Sequence, residues 1–199
     1  MRATDLSLAR RVGLAVISGY CSYPAGWLGD RIEEFLPLPF SSWTNILIGA
    51  IFGLLVMSVR VQAASARTPR IIALVACSIL IYTLAVWLAV INYGPLNLGG
   101  ATSVVASGAL GAVLSAAAVV IIAQVPADSR IWLYAVAAGL AGGAVFHFTI
   151  DADTESQGLQ ALVIGSGYAV WQVLVCLALH FGTRSAARFA EHAHIFDSH

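Results

Sequence analysis

Residues 71–91 and 101–125 are two apolar runs of membrane-spanning length, separated only by a short uncharged stretch built on Asn92-Tyr93-Gly94-Pro95-Leu96-Asn97. An α-helix needs about 20 consecutive apolar residues to cross a hydrocarbon core roughly 30 Å thick. Inside hydrocarbon the backbone must satisfy its own polar groups, and a helix does so within one segment. The pattern therefore dictates membrane helices. Composition agrees, since 59% of the chain is hydrophobic and only 10% charged, with a mean hydropathy of +0.86, against about 25% charged residues in a soluble domain.

Four further segments complete an all-α, polytopic helical bundle of six transmembrane helices forming a single membrane domain. The expected spans are about 10–28, 42–59, 71–91, 101–125, 131–152 and 158–181, followed by a polar tail at 182–199. The first is the least hydrophobic and contains Pro24; a helix lying in the interface, with five spans after it, is the alternative reading. Two closely spaced prolines, Pro37 and Pro39, cannot both sit inside a helix, which makes 29–42 a loop.

Arginine sets the orientation. The N-terminus carries Arg2, Arg10 and Arg11, the next loop on that side Arg60, Arg67 and Arg70, the third Arg130, and the tail Arg184 and Arg188; Arg31 alone lies opposite. The positive-inside rule then puts both termini in the cytoplasm. A bacterial cytoplasmic membrane is the expected location. The chain has no lysine and a formal net charge of zero. It thus offers no basic field for nucleic acid and no amine for Schiff-base chemistry.

Small residues mark the close-packing faces. Gly49 and Gly53, then Ser107 and Gly111, then Gly139 and Gly143 are each four residues apart, the spacing that lets membrane helices approach backbone to backbone. The run Ala135-x3-Gly139-x3-Gly143-x3-His147-x3-Asp151 continues one such face into ionisable chemistry. Ionisable groups at membrane depth are expensive, about 2.5–3.5 kcal/mol each at mid-bilayer. His147 and Asp151 are therefore candidates for binding a small solute or cation, or for handling protons. Tyr168 and Gln172, four apart on the sixth span, are candidate polar lining for the same route.

Catalytic and cofactor chemistry finds no support. The chain lacks G-x-S-x-G, H-E-x-x-H, P-loop and C-x-x-C patterns. His147 and His180 fall at opposite ends of their spans, so one haem iron cannot meet both, and no cofactor or metal is expected. Cys21, Cys77 and Cys176 lie in separate apolar segments. The leading expectation is a membrane protein for small-solute or ion permeation or transport, alone, as a homo-oligomer or as one subunit of an assembly. A non-catalytic accessory subunit that docks another membrane protein is the alternative, and a membrane-embedded enzyme the third. The lipid bilayer is its expected surroundings.

Overall fold

The computed structural model of the protein describes residues 7–38, 42–58, 61, 67–91, 100–150 and 156–196, side chains at 90, 91, 157 and 184–196 excepted. Six helices make up almost all of it, with no strand among the described residues: α1 Leu8–Glu33, α2 Trp43–Phe52, α3 Arg67–Ile91, α4 Gly100–Ile122, α5 Arg130–Ile150 and α6 Gln157–Phe196. The protein is an all-helical membrane bundle. Four helical stretches, Arg67–Ala89, Gly100–Ile122, Arg130–Ile150 and Gly158–Thr183, are long and apolar enough to cross a bilayer. Large apolar side chains on their outer faces, such as Ile72, Leu80, Ile121, Leu133 and Phe148, are exposed; hydrocarbon surroundings remove the penalty that water would impose there.

Local chemistry fixes the helix ends. Ser7, Ser42 and Ser156 accept hydrogen bonds from the backbone N–H groups of Arg10 (3.4 Å), Asn45 (3.2 Å) and Leu159 (3.1 Å), satisfying donors that a first turn leaves open. α4 ends at Ile122 rather than near 125 because Gln124 takes a left-handed φ of 54° just before Pro126. α1 continues through Pro24 to Glu33, beyond the expected end at 28. α6 likewise passes 181 and reaches Phe196. α2 gives way to one π-helical stretch, Gly53–Met57, so its apolar rod is only Trp43–Met57, roughly 22 Å at 1.5 Å per residue.

Helices adjacent in the chain are adjacent in space, and α6 returns to α1, so the six form a closed ring. Glycine sets most of the spacings. A Cβ placed on Gly49 would lie 2.7 Å from the Ile79 Cα, and one on Gly53 2.8 Å from the Val75 Cα, locking α2 to α3. Gly108, Gly139 and Gly143 do the same between α4 and α5, Gly142 and Gly182 between α5 and α6, Gly19 between α1 and α6, and Gly29 between α1 and α2. Real Cβ contacts are never this short, so these glycines are required by the approach of the backbones. The α3–α4 seam is different. α3 contains no glycine, and Gly111 of α4 meets Ala85 at an ordinary 3.7 Å.

Candidate functional site: a cavity inside the helix ring

Beside the α3–α4 seam a half-open cavity of about 330 Å³ reaches into the ring. Its wall is one face of α3 (Ser78, Ile81, Tyr82, Ala85, Val86, Ala89), one face of α4 (Val104, Ser107, Gly108, Gly111, Ser115), and the outer half of α5 (Gly143, Phe146, His147, Ile150). Tyr168 and Trp171 of α6 and Phe52 of α2 close it. The floor, at Phe52, Ser78, Ser115 and Trp171, lies near the middle of the helices. From there the cavity rises toward the end where α3 and α5 stop.

Aromatic rings shape the interior. Phe52 and Trp171 stand 5.3 Å apart, Phe146 and Tyr168 4.5 Å, and Tyr82 and Tyr168 6.3 Å, all tilted, the oblique geometry that ring quadrupoles favour. Trp171 is held by its Nε1–H, which donates to the Gly108 carbonyl at 3.3 Å, and by Gly142, which leaves room for its ring. The two tyrosine hydroxyls bond each other at 2.8 Å. Each phenol carries one proton, so whichever oxygen donates, the pair retains one O–H not used in that bond.

Most hydroxyls in these helices are satisfied locally. Ser22, Ser107, Thr149, Ser166 and Thr183 each donate to a carbonyl three or four residues earlier, and Ser78 donates across the α2–α3 interface to the Gly49 carbonyl at 2.7 Å. Ser115 differs. It is fully buried on the cavity floor, and its Oγ has no hydrogen-bond partner among the described residues.

Of the residues singled out in the sequence, His147 is half-buried on the cavity wall, and Tyr168 stands opposite on α6. Asp151 lies outside the described residues. Gln172 is fully buried but belongs elsewhere, since its Nε2 donates to Ser22 Oγ of α1 at 3.2 Å. The four-residue stripe on α6 drifts around the helix, so Tyr168 and Gln172 serve different neighbours. Gly139 and Gly143 face α4, but against residues 104–109, whereas Gly111 meets Trp171, and both Gly111 and Ser107 line the cavity. Gly49 and Gly53 lie against α3. Tyr82, Phe146 and Phe52 were not anticipated as lining. For Tyr82, an aromatic residue in mid-span, where no interface calls for one, is the signal that could have found it.

Chemically, the wall provides apolar area, aromatic faces and a few hydroxyls, with a single imidazole and no carboxylate or guanidinium among the lining residues. No group of three or more His, Cys, Asp or Glu side chains among the described residues is placed to hold a metal ion. Compared with known proteins, the chain matches no family model, no curated protein and no solved structure.

Proposed function

We propose that this chain is a six-span protein, both ends cytoplasmic, that binds a small uncharged solute in the ring cavity and conducts it across or out of the membrane. The cavity itself carries the reading: about 330 Å³ of space inside a bundle whose other interfaces are drawn tight by glycine. Its volume falls within the range of small-molecule sites, roughly 300–1,000 Å³. Its lining favours a neutral solute over a cation, because no carboxylate among the lining residues faces the space. The accessory-subunit reading needs small-residue faces free for another protein. Here Gly49, Gly53, Gly139 and Gly143 are occupied by neighbouring helices of the same chain, which counts against it.

The test compares small molecules extracted from the purified parent with those from cavity-filled variants. Gly111→Leu suits this purpose, because a Cβ there meets side chains only, Trp171 at 3.3 Å and Ala85 at 3.7 Å; Ala89→Phe fills the upper wall independently. A compound retained by the parent and missing from both variants is expected, and reconstituted liposomes should pass it faster than protein-free ones. Identical extracts would refute the binding site. Retention without flux would refute conduction and leave a binding protein.

A further inference from the structure

The cavity's wall also specifies the chemistry of its occupant. Its volume is about 330 Å³, and an apolar cavity of about 150 Å³ holds one benzene ring. Two fused rings, or one ring with a short branch, fill the space. Aromatic side chains stand at the floor, Phe52 with Trp171, and higher up, Phe146 with Tyr168 and Tyr82. Such faces and edges complement a flat ring better than a flexible chain, which would lose more rotational freedom on binding.

Two polar features in this apolar wall remain unsaturated. Ser115 Oγ is buried without a partner among the described residues, although Ser107, Thr149 and Ser166 each donate to a carbonyl three residues earlier in the same helix. The Tyr82–Tyr168 pair keeps one phenolic proton beyond its mutual bond. A buried polar group left unmade costs about 1–3 kcal/mol, so a ligand that completes it gains that difference. Both features can donate, which calls for an acceptor oxygen. With no carboxylate or guanidinium among the lining residues, a charged group would be stripped of water without a permanently charged partner.

Resting on the solute-binding reading above, we propose that the cavity binds a neutral, bicyclic-sized aromatic or quinone-like molecule carrying a hydroxyl or carbonyl oxygen, which Ser115 and the tyrosine pair recognise. The probe is radiolabelled naphthol, with naphthalene and naphthalene sulfonate as its apolar and anionic analogues. Binding is measured to the full chain in nanodiscs, with protein-free nanodiscs as blank.

Saturable naphthol binding is expected, with naphthalene weaker and the sulfonate at background. Ser115→Ala should weaken naphthol about three- to tenfold, the effect of one net hydrogen bond, and leave naphthalene unchanged. Combining Ser115→Ala with Tyr82→Phe and Tyr168→Phe should erase the preference for naphthol altogether. Gly111→Leu, and Ala89→Leu should the first fail to fold, should remove binding of both rings. The proposal is overturned if naphthalene or the sulfonate binds as tightly as naphthol. It is equally overturned if the combined variant keeps the preference, or if filled variants that fold still bind. Should these probes fail while the extracts of parent and filled variants still differ, the ligand class is wrong and the cavity site stands.

Discussion

A helical glycine is dispensable or indispensable according to what stands where its Cβ would be. Nothing lies within 4 Å of that position at Gly13, whereas at Gly139 the Gly108 carbonyl oxygen would be 2.5 Å away. Gly13→Ala should therefore stabilise α1 by about 0.5–1 kcal/mol through lost unfolded-state freedom and better helix propensity. Gly139→Leu should cost at least about 1–3 kcal/mol by forcing α4 from α5, or prevent folding. Thermal unfolding of the two detergent-solubilised variants settles both. A Gly139→Leu protein that melts with the parent would contradict the α4–α5 contact. The four-residue spacing of Ala135, Gly139 and Gly143 made this face legible in the sequence, because that spacing puts small side chains in line along one side of a helix. The face of α4 that meets them was not legible. α4 is small on nearly every side, Gly, Ala and Ser alternating around it, and a helix without a distinct face does not announce which side it turns to which neighbour.

At the scale of an element, the start of α5 is tied down by one carboxylate. Asp128 Oδ1 accepts from the Arg130 backbone N–H at 3.2 Å and from Ser129 Oγ at 3.1 Å, and its own N–H donates to the Gly182 carbonyl at 3.0 Å. The Arg130 N–H is the main influence holding the Asp128 carboxyl below its ordinary pKa, helped by Ser129 and the Arg130 charge and opposed by partial desolvation. A depressed folded-state pKa gives stability that is complete above the unfolded value, about 3.9, and lost as pH falls through the folded value. The stability difference between the parent and Asp128→Ala should thus stay level from neutral pH to about pH 5 and shrink below about pH 4. Melting followed by circular dichroism across that range checks it, and a gap that widens in acid would reverse the assignment. The start of α5 at Arg130 was legible in the sequence, one residue from the expected 131. The extension of α1 to Glu33 was not, because its last turn is polar: there Thr44 Oγ1 donates to Asp30 Oδ1 at 2.6 Å, and Arg31 lies 3.2 Å from Glu34.

Over the whole molecule, ring closure favours a spanning α1, the point on which the sequence allowed two readings. Its weak hydropathy comes from Arg10 and Arg11 at its start and, within the apolar run, from residues such as Ser18, Tyr20, Ser22 and Tyr23, of which Ser18 and Ser22 are fully buried inward. Hydropathy counts such residues against spanning, although Ser22 meets Gln172 rather than lipid. The cavity was illegible for a related reason: it depends on how far α3 and α4 stand apart, a distance between elements that no periodicity encodes. Gly19, near the middle of α1, abuts the backbone of Ala169, near the middle of the apolar stretch of α6. A helix lying flat in the interface would sit roughly 15 Å from that depth, half the hydrocarbon thickness. On the reading proposed above, spanning by α1 makes six crossings, and the sequence then assigns nine of ten arginines to segments on one side, for which the positive-inside rule expects both termini in the cytoplasm. Reporter fusions within 34–42, 92–99 and 151–155 should all report the outside, and those within 62–66 and at Ala127 the inside. An inside report from the 34–42 fusion would remove α1 from the membrane and break the ring, because α2 and α6 would then lose the helix that joins them.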